Sequence, residues 1–448
     1  MLGISRDAFE GNAMIDVTAL FLLFSGIVFF GYILNMLFYK IKIIVVIPLM
    51  LIGLFIGPVL HLINTTQNSF VVEISSYVSS VAIAFILFEV GLGIRLSDLD
   101  APKVLKFMFS VTIVTAIMMS LGIFLAFRWS PIYSLIAGFV IAGPSSIVAA
   151  VVTRLSKAGK RMKSALIFEA VSNDSVQLLI PLILLSLLQS VSSSSLGGLN
   201  GYIILIFDFF VVSAVFGVLS ALFWTFILNY FKKYSSQYSW MLTITTVIAT
   251  YGLANYLGLN GAIATFAFSV FFANMAGISE KLSVYTKSIR PQFKHIQSYQ
   301  REITFFVSTF FFVYIGLLVS LSQITILMIL AGITLTVMMI VIRKIFVRML
   351  DPFISDKKHA ESERTLATFD IGKGLSAVVI ATIVISLPAY LNAPPNFLEL
   401  IFVILLLTNI LQTFGMYLYA ERLKKESIVE EFSKKNGEEA IAGKWHPV

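Results

Sequence analysis

The sequence predicts an all-α polytopic membrane protein of about thirteen transmembrane helices, two of them discontinuous. Three observations predict it. Apolar runs long enough to cross about 30 Å of hydrocarbon recur from residue 17 to residue 419. Lys and Arg collect in every second loop between those runs, as cytoplasmic loops do. Two runs are interrupted mid-length by Gly, Pro or charge, at Ile141–Ser146 and at Asp370–Gly374.

Composition supports the class and excludes others. With 58% hydrophobic and only 12% charged residues over 448, and a mean hydropathy of +0.93, most of the chain must be solvated by lipid, since average soluble domains carry about 25% charge. There is no cysteine, which excludes disulfides, thiolate catalysis and Cys-based metal centres. His61, His295, His359 and His446 are scattered through loops and the tail, so a His-built metal site is not expected. Residues 1–16 carry acids and lack a basic n-region; they read as an extracellular N-terminus and not as a cleaved signal.

The spans follow in order. The first four are expected at 17–39, 43–60, 74–94 and 104–127. The fifth, 132–152, contains Gly143-Pro144; Pro removes a backbone bond and Gly loosens the turn, so an unwound break is expected. The sixth, 165–188, contains Glu169, Asn173 and Asp174, and the seventh is 202–228 with Asp208 at its outer end. The eighth and ninth, 240–256 and 261–276, are divided only by Gly258-Leu-Asn-Gly261; the alternative of one hairpin or one re-entrant unit would change the count but not the fold class. Runs 304–321 and 324–346 precede 366–389, whose Asp370-Ile-Gly372-Lys373-Gly374 is the second break. The last, 396–419, leads into a polar cytoplasmic tail, 420–448, expected to be solvated or frayed helix.

Orientation comes from the loops. With the N-terminus outside, the inside loops and tail hold 29 of the 32 basic residues, leaving Arg6, Arg128 and the intramembrane Lys373. The outside loops 61–70, 192–201 and 391–396 hold none. An odd number of spans with the C-terminus inside is therefore expected, and the net charge of +8 reflects topology and not nucleic-acid binding.

Acids inside the apolar runs point to function, because a carboxylate at a helix centre costs roughly 2.5–3.5 kcal/mol to insert and marks ion or proton pathways. Asp174 offers a hard oxygen for a monovalent cation or a proton, and Asn173 adds an amide. Glu169 lies one turn earlier on a similar face; an ion pair with a distant Lys or Arg is the expectation there, ahead of a ligand role. Freed carbonyls and the hydroxyls of Ser145 and Ser146 are candidate cation ligands at the first break. At the second, Lys373 is expected to neutralise an acid or the negative end of a half-helix, with Asp370 as a local partner. Glu89 either guides cations inward or pairs with Arg95. Two broken helices in corresponding halves are the pattern of inverted-repeat transporters, which place the ion site at their meeting point near the midplane.

With these residues the chain resembles the monovalent cation/proton antiporter superfamily, particularly the prokaryotic sodium/proton antiporters of the NhaP type. The matching positions are Ile47-Pro48, Gly53, Gly57-Pro58, Phe88-Glu89-Val-Gly-Leu, Gly143-Pro144, Glu169 with Asn173-Asp174, Phe312-Val-Tyr-Ile-Gly316 and Asp370-Ile-Gly-Lys373-Gly374. The resemblance implies a thirteen-helix homodimer. Helices 1–3 and 8–10 form the dimerisation domain, 4–6 and 11–13 the ion-binding core with helices 5 and 12 crossing, and helix 7 links them. It implies Asp174 as the ion- and proton-binding acid, Asn173 as its partner and Glu89 on the cytoplasmic approach. The Asn-Asp pair further implies electroneutral exchange.

Four positions depart from the family pattern. The second acid usual in helix 5 is absent, its place taken by Gly143. The basic residue often found in helix 10 maps to Ser308, Lys373 replaces the usual Arg of helix 12, and position 170 is Ala instead of Ser. Loss of one acid and one base leaves the charge count balanced. The expectation is thus a Na⁺/H⁺ antiporter of the cell membrane, which calls for no cofactor, and not an enzyme. The alternatives are a K⁺/H⁺ antiporter, another solute carrier on the same fold, or a non-transporting membrane sensor.

Overall fold

The computed structural model describes residues 25–27, 29–34, 36–37, 46–60, 75–94, 102–193, 199–230, 239–281, 290–354, 360–387 and 391–442. The expected extracellular segment 1–16, the outside loop 61–70 and the residues Lys40, Lys42 and Arg95 lie outside these. Among the described residues there is no strand.

The helices run α1 Val46–Leu54, α2 Ser75–Gly93, α3 Pro102–Phe127, α4 Pro131–Val140, α5 Ser146–Leu155, α6 Lys160–Ser193 and α7 Leu199–Tyr230. They continue as α8 Ser239–Tyr256, α9 Gly261–Lys281, α10 Arg290–Leu318, α11 Ile326–Ile354, α12 Ala360–Thr368, α13 Leu375–Ile385 and α14 Phe397–Ala442. Six of them contain stretches long and apolar enough to cross a membrane: α3, α6, α7, α10, α11 and α14. Their lipid face is apolar, as on α11, where Ile326, Leu330, Val337 and Val341 are exposed, because in lipid the outside of a helix needs no polarity.

Local chemistry accounts for the irregularities. α1 passes into a π-helical turn, Phe55–Val59, at Pro58, and Leu60 N–H donates to the Phe55 carbonyl at 2.9 Å; a proline in a helix forces such a register change. A Cβ on Gly53 would run into the backbone of Val313, and one on Gly316 into that of Met50, so these glycines let α1 and α10 approach closely. α8 and α9 are two separate helices turning at Gly258, whose φ of 76° suits glycine. α10 begins fourteen residues before the expected run at 304, and α14 continues without interruption past Tyr419.

Both expected breaks occur. α4 starts at the Ser130 cap with Pro131 in its first turn and stops at Val140; α5 resumes at Ser146, past Gly143-Pro144. α12 and α13 are separated by 369–374. α4 and α5 both pack on α6, and α13 packs on α6, α14 and α2. α11 packs on α3, α12 and α14, whereas α9 joins α2 with α7 and α8, and α10 joins α1 with α2.

Candidate functional site

The two breaks meet. Ser145 N–H donates to the Gly372 carbonyl at 3.0 Å, and the Lys373 ammonium donates to the Gly143 carbonyl at 2.6 Å. Unwound backbone at membrane depth must find partners inside the protein, and amide side chains supply most of them. Gln412 Oε1 accepts from Ile371 N–H at 2.6 Å and Gly372 N–H at 2.9 Å. Asn409 Nδ2 donates to the Lys373 carbonyl at 3.1 Å, and Gln177 Nε2 to the Gly143 carbonyl at 2.7 Å.

Asp174 lies where two half-helices begin. Its Oδ2 accepts from Ser146 N–H, the first residue of α5, at 2.8 Å. Its Oδ1 accepts from the Ser376 hydroxyl, in the first turn of α13, at 3.1 Å. Helix N-termini carry unsatisfied N–H groups and the positive end of the dipole, so this pocket is built to face a negative charge. The Ser146 side chain also hydrogen-bonds Asp174. Ser145 takes part through its backbone, while its hydroxyl packs against Gly374, where a Cβ would overlap it.

Asn173 points elsewhere. Its Oδ1 accepts from Thr112 Oγ1, and its side chain fills the space that a Cβ on Gly143 would need. Asn173, Gly143, Glu169, Asp370, Lys373 and Arg343 line a cavity between the breaks with room for roughly one water molecule. Asp174 is not part of that lining.

Charges in the core sort into pairs. Arg343 holds Glu169 in a two-pronged contact, Nη1 to Oε1 at 2.6 Å and Nη2 to Oε2 at 2.9 Å. It also donates from Nε to the Ala367 carbonyl at 2.6 Å and lies 3.8 Å from Asp370 Oδ2. The loop pattern assigns Arg343 to the cytoplasmic side; the side chain is buried within α11, where the bidentate pair offsets its burial. The expected partnership of Asp370 with Lys373 is replaced as well: Asp370 is held by Gln412 Nε2 at 3.2 Å and faces Arg343. Lys373 reaches across to the carbonyl just beyond the C-terminal end of α4, so the freed carbonyl of Gly143 is engaged by protein donors. Ser308 donates to the Phe305 carbonyl at 2.9 Å and is buried.

Glu89 hydrogen-bonds Thr304 of α10 and lies within the electrostatic reach of Asp174 and Arg301. The described residues contain no group of three or more His, Cys, Asp or Glu able to hold a metal together. Arg343, Gln177, Ser376, Asn409 and Gln412 are the site residues that reading the sequence missed. Their signal was available: Gln177 stands one turn after Asp174, and Asn409 and Gln412 stand one turn apart in an otherwise apolar run.

The profile of the sodium/hydrogen exchanger transmembrane family matches residues 25–421. The chain belongs to that family. It is a multi-pass membrane protein of a transporter family and not of an enzyme family. Among solved structures it is similar to the sodium proton antiporter MjNhaP1 from Methanocaldococcus jannaschii at pH 8. That match has a TM-score of 0.68 at 17% identity and covers 92% of this chain and 98% of that one. An electron-microscopy structure of MjNhaP1 matches with a TM-score of 0.64 at 16% identity, over 97% of this chain and all of the other. At such identities the likeness speaks for the fold. No curated protein matches the chain by sequence.

Proposed function

We propose that this protein is a secondary Na⁺/H⁺ antiporter in which cation and proton compete for Asp174 and are exchanged one for one. Membership of the exchanger family supports cation and proton as substrates. The observation that carries the residue assignment is the position of Asp174: buried, between the first turns of α5 and α13, and without an ion-pair partner among the described residues. Glu169 and Asp370 face Arg343, and Lys373 is bound to a carbonyl.

Charge counting supports the one-for-one ratio. Around the breaks stand three carboxylates, Glu169, Asp174 and Asp370, against two cations, Arg343 and Lys373. The excess is one negative charge, which one proton or one monovalent cation neutralises. Glu89, beside α10, sits on the cytoplasmic approach. The bundle carrying α3–α6 and α11–α14 rocks against a dimerisation domain that includes α1, α2 and α8–α10 to alternate access; α7 links the two, and the dimerisation domain forms the interface of a homodimer. The N-terminus is outside and the tail cytoplasmic.

The test is proton flux in proteoliposomes holding a preset pH gradient, with Na⁺, Li⁺, K⁺ or choline added in turn. Na⁺ or Li⁺ is expected to drive proton movement in the native protein and not in Asp174→Asn, which should remain folded. Retained exchange in that variant rejects the assignment, and a response to K⁺ alone moves the substrate to potassium.

A further inference from the structure

Three buried oxygens converge beside Asp174. Ser376 Oγ is 3.1 Å from Asp174 Oδ1 and 3.2 Å from Gln177 Oε1. All three residues are almost fully buried, at 2%, 4% and 0% exposure for Ser376, Asp174 and Gln177. The orientation of the Gln177 amide is determined by its other end, where Nε2 donates to the Gly143 carbonyl at 2.7 Å. Turned the other way, the amide would set oxygen against oxygen. Gln177 therefore presents an acceptor to Ser376, as Asp174 does.

A hydroxyl has one hydrogen and here two acceptors. With Asp174 ionised, Ser376 can satisfy only one of them, and one oxygen–oxygen contact contains no hydrogen. Two occupants complete the set. A proton on Asp174 lets Oδ1–H donate to Ser376 Oγ while Ser376 donates to Gln177 Oε1. A hard cation instead accepts lone pairs from all three oxygens. Oxygens at 2.3–2.6 Å from a cation of calcium's size stand about 3.2–3.7 Å apart at right angles, so the observed spacing needs little expansion for Na⁺ or Li⁺ and more for the larger K⁺. The Gly143 carbonyl is not available to the ion, since Lys373 and Gln177 both donate to it.

We propose that Ser376 and Gln177 are direct ligands of the transported cation together with Asp174, and that the Ser376 hydroxyl turns from Gln177 to Asp174 as the proton leaves. This inference rests on the antiport reading and moves the cation site from the first break toward α13. The exchange balances: the Asp174 O–H bond breaks, the proton passes to water on the open side, and one monovalent cation takes its place.

Cation-dependent thermal stabilisation of the purified protein in detergent tests it, since a ligand of the folded state raises the melting temperature with its concentration. Na⁺ is titrated at constant pH against native protein, Ser376→Ala, Ser376→Thr, Gln177→Leu and Asp174→Asn, with flux measured in parallel. Ser376→Ala and Gln177→Leu are expected to need at least about tenfold more Na⁺ than native protein for the same rise in melting temperature. Ser376→Thr, which keeps the hydroxyl, stays close to native, and Asp174→Asn shows no Na⁺ dependence. Native Na⁺ dependence in Ser376→Ala or Gln177→Leu beside its loss in Asp174→Asn overturns the ligand assignment and leaves the antiport reading intact. Equal losses in Ser376→Ala and Ser376→Thr mark packing and overturn it too. Na⁺ dependence retained in Asp174→Asn refutes the reading on which it rests. Should Ser376→Ala fail to fold, Gln177→Leu decides.

Discussion

Replacing Arg343 by Met should be the most damaging single change in the core outside the ion site. The guanidinium makes two hydrogen bonds to Glu169 and one to the Ala367 carbonyl, and it stands 3.8 Å from Asp370. Met keeps much of the length and none of the charge. Two buried carboxylates then lose their counter-ion. Breaking a buried pair costs about 3–5 kcal/mol, and the Ala367 carbonyl, left with only the longer bond from Asp370 N–H at 3.4 Å, adds about 1 kcal/mol. A loss of about 4–6 kcal/mol compares with a typical total stability of about 5–15 kcal/mol, so Arg343→Met should be recovered poorly and melt far below the native protein. Arg343→Met/Glu169→Gln should regain roughly half of the loss, because Asp370 still faces the vacated space; adding Asp370→Asn should regain most of it. Thermal unfolding and size-exclusion elution in detergent read the series. A single variant as stable as native protein, or a double variant no better than the single, would refute the pairing as the source of stability.

Three further outcomes follow from the same geometry. Gly143→Ala should lose about 1–3 kcal/mol of stability, the range for overpacking, because its Cβ displaces the Asn173 side chain; melting checks it, and Asn173→Ala in the same chain should relieve it. Glu426 of α14 accepts from Glu361 N–H and Ser362 N–H, both at 3.1 Å, and so caps α12 from outside. Glu426→Ala should cost about 0.5–2 kcal/mol, as cap losses do, and leave the Na⁺ dependence of flux unchanged. Competition of one proton with one cation makes the apparent affinity for Na⁺ fall as pH falls, by at most about tenfold per unit, measured as flux against Na⁺ at several pH values; a steeper fall would mean that more than one proton competes.

How much of this was legible in the sequence depends on whether a signal was local. Both breaks could be placed to within a residue or two, since Pro144 and the pair Gly372 and Gly374 act on their own backbone. Long apolar runs gave the helices for the same reason, whereas their ends did not follow: α14 runs on through Arg422 and Glu426 because both side chains find partners on α12, at Thr365 and Ser362. Partnerships across the fold were out of reach. Glu169 was expected to meet some distant cation, but only the packing of α11 could say that it is Arg343, 174 residues away. Lys373 was read against the nearest acid in sequence, and its ammonium instead crosses to the other break. The polar amides were overlooked because Gln177, Asn409 and Gln412 carry no charge, although a buried amide in lipid is as much in need of explanation as an acid. Their common task explains why they were needed. Two unwound segments expose carbonyls and N–H groups to a dry interior, and amides can satisfy both kinds without adding charge. Around the breaks that leaves one carboxylate more than the cations, the excess that the proposed exchange matches with a mobile ion.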